Sequence, residues 1–420
     1  MDLTNYYWFN YCFENSPTNN VFGAWRSPLD ANNIYTASEA AKQFNILFDK
    51  LCFKRENNKH LVPISGGFDS RAILAALVER IPIENIETIS FGFSGQLDYE
   101  IGEKVSKALG IKKHTKFNLL DVNIDWSLIL KVANNSPTTF HFDALFNFLS
   151  RTLFSDDTYI IWSGFMGDPL AGSHLILNEE AGVDLVLQGF VNKQKKINTM
   201  KFEKPNLSEC ISWIKPLIEK HSLRTDDVVN FSFRQAHCVA PIVLPVKQWT
   251  KWQPEIGLEK NGAQVIAPFI DISWARYWLY APVASRISQV LYMDMLEKLF
   301  PDAMALPSKM SLGLSPKASK KIYVKSRLVA LKAKLNQKFP KLRLTRDIRA
   351  NYLDYGYLFR KRSDYISVLK KAFDTLIEHN LMSNYEAVRL FTEHKNASKN
   401  HADYFCLIVG IAANIEAGYI

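Results

Sequence analysis

The spacing of apolar and polar positions changes several times along the first 170 residues, and each change marks an element. Ala37–Cys52 carries Ala41, Phe44, Leu47 and Leu51 at helical spacing, which predicts an amphipathic helix. Residues 61–64 are a short apolar run, which predicts a buried strand. The loop Ser65-Gly66-Gly67-Phe68-Asp69-Ser70 follows, and then residues 71–77, a strong helix former. Residues 87–92 read as a second strand. Asp98 opens a helix that Gly110 closes, Lys113–Asn118 reads as a third strand, and residues 159–164 read as a further buried one. Strands alternating with helices of this length predict an α/β fold with a parallel sheet covered on both faces. The right-handed crossover rule then puts the 65–70 loop at the carboxyl edge of that sheet, where ligands bind. From about residue 175 the pattern becomes mostly helical, with breaks at proline. Residues 1–36 are aromatic and rich in asparagine. Tyr6, Tyr7, Trp8, Phe9, Tyr11, Phe13 and Trp25 would not all stay in solvent, so this segment is expected to pack on the body.

Composition narrows the class. With 420 residues the chain can bury a sizeable core, and 47% apolar against 22% charged content is that of an ordinary globular protein. No stretch approaches the ~18 uninterrupted apolar residues of a membrane span, and the first residues lack the pattern of a secretory signal. The five cysteines, Cys12, Cys52, Cys210, Cys238 and Cys406, show no CxxC spacing. They suggest reduced thiols, a cytoplasmic setting and no structural zinc. The net charge of +9 is uneven: residues 317–349 hold twelve Lys/Arg against the single acid Asp347. That segment is +11, so the rest of the chain is −2. The pattern is a nearly neutral globule with one basic segment rather than a general nucleic-acid binder.

The 65–70 loop carries the clearest chemistry. Strand, glycine loop and helix present free backbone N–H groups and a positive helix end to an anion. Adjacent Gly66 and Gly67 allow close backbone approach to a phosphate, and Ser65 and Ser70 can donate to phosphate oxygens. Asp69 would repel a phosphate unless a divalent metal lay between them. No Gly-Lys pair occurs anywhere, so this is not a Walker loop. A second glycine-punctuated loop, Ser163-Gly164-Phe165-Met166-Gly167-Asp168-Pro169, follows the strand at 159–164.

Together these stretches resemble a known family. The pattern SGGFDS is similar to the SGGxDS loop of the ATP-pyrophosphatase superfamily. LVPISGGFDS, ETISFGFSGQLDYEIGEKVSKALGI and IIWSGFMGDPLAGSH resemble, in order, the synthetase domain of asparagine synthetases and their relatives. Those relatives include β-lactam synthetases and lasso-peptide cyclases. Pro268-Phe269-Ile270-Asp271 looks like the family's PFLD element, and residues 306–313, LPSKMSLG, look like its catalytic-lysine loop. The resemblance implies a synthetase domain over residues 37–315 with a sheet of the ATP-pyrophosphatase type, followed by a helical region over 316–420. It implies adenylation of a substrate carboxylate by ATP with Mg²⁺, release of pyrophosphate, and acyl transfer to ammonia or an amine. The implied roles are Ser65, Gly66, Gly67, Asp69 and Ser70 around pyrophosphate, with Asp69 and Asp168 on the metal. Lys309 would act near the α-phosphate, and Ile64, Phe91, Ser163 and Gly164 would line the adenosine pocket.

Three departures from the family pattern matter. Asp2 stands where the glutaminase nucleophile of asparagine synthetases would be, and only about sixty residues precede the phosphate loop. Ammonia is therefore expected from solution, from a separate amidotransferase, or as an amine on the substrate. Phe165 replaces the acid or phenol that moves protons during amide formation, and phenylalanine accepts no proton. His174, in the same loop, is a candidate replacement. Gln264 stands where the family's usual glutamate precedes the PFLD element. These changes favour a specialised metabolite, peptide or glycan carboxylate. The rival readings are a lasso-type peptide macrocyclase, a tRNA-modifying enzyme of the same superfamily, and a non-catalytic scaffold for a biosynthetic partner.

Other residues have bland and sharp readings. Arg71 could reach a phosphate or do nothing. Arg234 could clamp a carboxylate or form a structural ion pair. Asp271 is expected to cap a helix. Val324, Leu328, Leu331, Leu335 and Phe339 form a helical stripe flanked by Lys and Arg. It reads either as a helix packed on the domain or as a contact for an anionic partner, a membrane surface included. Nucleic acid ranks lower, because the charges are not regularly interleaved with aromatic residues.

Overall fold

The computed structural model describes residues 34–135, 140–142, 145, 159–173, 175, 184–185, 208, 212, 215, 249–253, 257–260, 263–338 and 353–419. Its centre is a seven-stranded sheet. Five strands run parallel: β1 (Lys59–Pro63), β2 (Ile86–Gly92), β3 (Lys113–Asn118), β4 (Tyr159–Trp162) and β7 (Ala263–Ile266). They lie in the order β3-β2-β1-β4-β7, and the antiparallel strands β6 (Gly257–Lys260) and β5 (Trp249–Gln253) continue beyond β7. The chain runs outward from β1 through β2 to β3, then returns to the other side of β1 as β4. The strand order therefore reverses between β1 and β4, and their carboxyl ends flank a crevice.

The pleat sorts the strand residues between two cores. Val62, Ile160, Trp162 and Ile266 enter the large cluster on one face, whereas Leu61, Ile89, Ile161 and Val265 form a smaller cluster on the other. Helix α1 (Ala37–Cys52) covers the larger face. Thr36 caps it by accepting the Glu39 amide, and Phe44 and Phe48 are fully buried. The Phe48 ring lies parallel to that of Trp162, centroids 6.0 Å apart. His60 ties β1 to β4: Trp162 Nε1 donates to its Nδ1 at 3.0 Å, and its Nε2 lies 2.9 Å from the Arg55 carbonyl. That arrangement needs the neutral ring, in accord with the burial that lowers its pKa.

Helix α2 (Asp69–Val78) follows the glycine loop, and Ala72 through Leu77 are all buried. Helix α3 (Leu97–Ala108) packs on β2 and crosses close to the sheet at Gly102. A Cβ there would meet Ser90 Oγ at 2.0 Å and the Ile64 carbonyl oxygen at 2.6 Å. Helix α4 (Trp126–Asn135) and the short helix α5 (Gly167–Ala171) complete the amino-terminal half.

After residue 175 the described residues are mostly helical, as expected, with the antiparallel hairpin and β7 as the strand exceptions. Four-residue β7, Ala-Gln-Val-Ile, is too short to show a period of its own, and pairing with β4 decides its state. Asp271 does cap a helix as expected: it accepts the Ser273 and Trp274 amides at the start of α6 (Ile272–Leu279) and pairs with Lys50 at 3.1 Å. Next come α7 (Val283–Arg286), α8 (Val290–Leu299), α9 (Pro301–Met304) and α10 (Ser319–Lys338). The helices α11 (Tyr355–Lys361), α12 (Ser363–Glu378), α13 (Asn384–Lys395) and α14 (Ala402–Glu416) close the chain.

This last group shares the large core with the sheet. Asn414 joins it to Phe140, accepting the amide at 2.6 Å and donating to the carbonyl at 2.9 Å. Arg362 donates to the carbonyls of Leu120 and Val122, and Asp364 accepts the Ile124 amide. Of the aromatic segment at the amino terminus, only Ile34 onward lies within the described residues. There Tyr35 packs against Tyr277, ring centroids 5.1 Å apart. Neither Cys52 nor Cys406 forms a disulfide. Among the described residues no helix is long and apolar enough to cross a membrane.

Candidate active site

The loops after β1 and β4 meet at the crevice where the strand order reverses. The first, at 65–70, is folded on itself, and the amides of Ser65, Gly66 and Gly67, expected to be free, are engaged within the protein. Ser70 Oγ accepts the Ser65 amide at 3.2 Å, Ser65 Oγ accepts the Gly67 amide at 3.2 Å, and the two hydroxyls lie 3.3 Å apart. All four residues named for this cradle besides Asp69 thus sit in one turn at the amino end of α2.

Asp69 is the first residue of α2, and its carboxylate turns toward the second loop. Its Oδ2 accepts the Asp168 amide at 3.0 Å, and its Oδ1 accepts the hydroxyl of Tyr292, on α8, at 2.8 Å. Gly167 makes this approach possible: a Cβ there would lie 2.4 Å from Asp69 Cγ. Gly164 also packs against Asp69, its would-be Cβ 3.2 Å from that of Asp69. Between these glycines the buried Met166 takes a left-handed conformation, φ 70°, a local cost carried at the turn into α5.

Burial and the neighbouring charge of Asp168 push the Asp69 carboxyl up to about 7, against the Tyr292 and Asp168 hydrogen bonds that favour its ionised form. The residue keeps some solvent exposure overall, while its carboxylate is enclosed by hydrogen-bond donors and by Gly167. Tyr292 is buried, and its hydroxyl is held protonated well above the ordinary range by burial first and by Asp69 second. Asp168 Oδ2 accepts the Ser173 hydroxyl at 3.1 Å.

A pair of close carboxylates, one of them enclosed, is a donor set that a divalent cation would relieve. Among the described residues no group of three or more His, Cys, Asp or Glu side chains is placed to hold a metal. Two carboxylates fit Mg²⁺ when it takes its remaining ligands from phosphate and water.

Lys309 reaches the same crevice from the loop after α9. Its amide donates to the Gly66 carbonyl at 2.9 Å, which docks the lysine loop directly on the 65–70 loop. Its ammonium donates to Asp98 Oδ2 at 2.7 Å, and Asp98 Oδ1 accepts the Gly66 amide at 3.0 Å. Asp98 is therefore a member of the site that motif matching passed over. In the sequence it reads as an ordinary acid in the first turn of a helix, and only the packing of α3 beside the 65–70 loop reveals its second role.

The remaining expected residues divide. Ser163 is half-buried; its amide donates to the Ile266 carbonyl at 2.8 Å, and its Oγ accepts the Phe165 amide at 3.3 Å. Phe91 is half-buried at the end of β2, packed against both cores and edge-to-face with Phe117, centroids 6.3 Å apart. Ile64 is buried in the large core and its carbonyl accepts Ser90 Oγ, so its side chain offers no stacking surface. Phe165 is buried in the same core, at 9% exposure, and packs there as an apolar residue. Arg71 is not a phosphate contact. It is fully buried and donates to the carbonyls of Ala303, Leu306 and Pro307 at 3.0, 3.1 and 2.6 Å. Those carbonyls lie just before Lys309, so Arg71 fastens the lysine loop to α2. His174 and Arg234 lie outside the described residues.

No protein-family model matches the chain, and no curated protein matches it.

Proposed function

We propose that this protein is an ATP-dependent, AMP-forming carbon–nitrogen ligase with a sheet of the ATP-pyrophosphatase type. The observation that carries the proposal is the meeting of Asp69 and Asp168 at the crevice between β1 and β4, with Lys309 docked on Gly66 beside them. An anion cradle, a carboxylate pair and a lysine on three separate loops form a constellation suited to a polyphosphate.

In this reading the Ser65 and Ser70 hydroxyls and the amides of Phe68, Asp69 and Ser70 at the amino end of α2 hold the β- and γ-phosphates. A substrate carboxylate oxygen attacks the α-phosphorus, the bond from that phosphorus to the bridging oxygen breaks, and pyrophosphate leaves. Asp69 and Asp168 would hold Mg²⁺, which when bound neutralises phosphate charge. Lys309 places its ammonium against the negative charge that develops at the α-phosphate. In the second step a nitrogen nucleophile attacks the acyl carbon and AMP departs, leaving an amide. Phe165 contributes no proton acceptor, so the proton that the neutral amine sheds as the amide forms goes to the departing AMP phosphate or to water.

The carboxylate is proposed to be a specialised metabolite, a peptide or a glycan acid, with ammonia or an amine as acceptor. Attack by an amine of the same molecule would make the enzyme a macrocyclase by the same steps. The test is pyrophosphate release from ATP and Mg²⁺ across pools of carboxylates and amines, with Asp69→Ala as control. Turnover that depends on a carboxylate and disappears in Asp69→Ala supports the proposal. A folded protein that turns over ATP with no pool and binds no Mg²⁺–pyrophosphate sinks it.

A further inference from the structure

Helix α10 follows the Lys309 loop, and its apolar stripe faces outward. Val324, Leu328, Leu331 and Leu335 are 57, 53, 54 and 48% exposed, whereas Ile322 and Val329 on the opposite side of the helix are half-buried. The four aliphatic residues recur at intervals of four, three and four, so they form one line about 17 Å long. At 100° per residue, Lys320 and Arg327 fall on one shoulder of that line and Lys321 and Lys332 on the other. The twenty residues of α10 include seven Lys/Arg and no acid. Lys325 anchors the helix, donating to the Leu312 carbonyl at 2.6 Å. This arrangement replaces the simpler expectation of a stripe packed on the domain.

We propose that α10 is an interfacial helix that lays Val324, Leu328, Leu331 and Leu335 into the surface of an anionic bilayer. Lysines on both shoulders then reach lipid phosphates while their methylene stems stay with the apolar stripe. Charge selects this occupant. Two copies of the chain paired through the stripe would bring basic shoulders together with no acid on either helix. Composition separates a bilayer from a protein groove: interface hot spots favour Trp, Tyr and Arg, and the stripe contains only Val and Leu. Lysine is depleted at protein interfaces but serves well against a diffuse layer of lipid phosphate. The proposal does not depend on the reaction assigned to the crevice. It would place the outer end of the lysine loop, Leu312, beside the membrane.

The test is sedimentation of the full chain with vesicles of phosphatidylcholine alone and of phosphatidylcholine with phosphatidylglycerol. Binding is expected only to the anionic vesicles, and added salt should weaken it. Leu328→Asp/Leu331→Asp should lower the apparent affinity by roughly tenfold or more. Lys320→Glu/Lys321→Glu/Lys332→Glu should do the same while leaving the melting temperature unchanged, because these positions are exposed. Failure of the wild type to bind anionic vesicles overturns the proposal. So does equal binding by the wild type and the leucine variant, or a stripe-dependent dimer or acidic-protein complex in place of lipid binding.

Discussion

The ammonium of Lys309 lies 2.7 Å from one oxygen of Asp98, and the other oxygen of that carboxylate accepts the Gly66 amide at 3.0 Å. One side chain thus spans the lysine loop and the 65–70 loop, although the two loops are more than two hundred residues apart in sequence. Asp98→Ala should release both. It should reduce carboxylate-dependent pyrophosphate release about 100-fold, mainly in kcat, because the lysine loses its position rather than its charge. Asp98→Asn can still accept the Gly66 amide and should keep the wild-type melting temperature. An unchanged kcat in Asp98→Ala would count against the link.

The Asp69–Asp168 pair makes a pH prediction. The folded-state pKa of Asp69 is about 7, above its unfolded value of about 3.9. The folded protein therefore holds this proton more tightly, and the associated stability is full below pH ~4 and lost as pH rises through about 7. Asp168→Asn removes the like charge and keeps an oxygen for Ser173. In metal-free buffer it should raise the melting temperature by roughly 2–4 °C at pH 8, the shift that ~1 kcal/mol gives in a domain of this general size. The gain should fade toward pH 5, where Asp69 is protonated in both proteins. The same variant should lose the stabilisation that Mg²⁺ with pyrophosphate gives the wild type. A gain equal at both pH values would refute the coupling.

Tyr292→Phe isolates the other contact. The tyrosine hydroxyl favours ionised Asp69, so its loss should push that carboxyl further up. The acid limb of the pH–rate profile for pyrophosphate release should then move to higher pH. Leaving Asp69 Oδ1 short of a donor should also cost about 1–2 kcal/mol in urea unfolding. A profile that stays in place would show that Asp69 does not limit the reaction.

Gly167→Ala tests the close approach of the second loop. The added methyl would sit 2.4 Å from Asp69 Cγ. A destabilisation of about 1–3 kcal/mol is expected, with loss of pyrophosphate release as Asp69 or Asp168 is displaced. Gly164→Ala meets Asp69 Cβ at 3.2 Å and should be milder on both measures. Equal behaviour of the two variants in thermal melts and turnover would argue against this packing.

Arg71 and Asp98 show where local reading ended. Both are charged residues at the start of helices beside the 65–70 loop. By pattern, Arg71 is the better candidate for a phosphate contact. Instead it is buried on three carbonyls before Lys309, and Asp98 enters the site. Helical phase puts a residue on a face, but only the neighbouring element decides whether that face is core or crevice. Strand β7 escaped detection for a related reason, since four residues carry no period and pairing with β4 defines them.

The sequence alone determined the alternation of strands and helices from residue 37 to 162, the two glycine loops and the acids within them. Those features are local: side-chain period, caps and backbone freedom specify them without reference to distant contacts. Tertiary structure decided the strand order that reverses between β1 and β4, and with it the meeting of Asp69, Asp168, Tyr292 and Lys309. It also turned the stripe of α10 outward, which no helical spacing could foretell. These outcomes depend on contacts between segments up to two hundred and forty residues apart, whose energies belong to pairs of surfaces rather than to either stretch of chain.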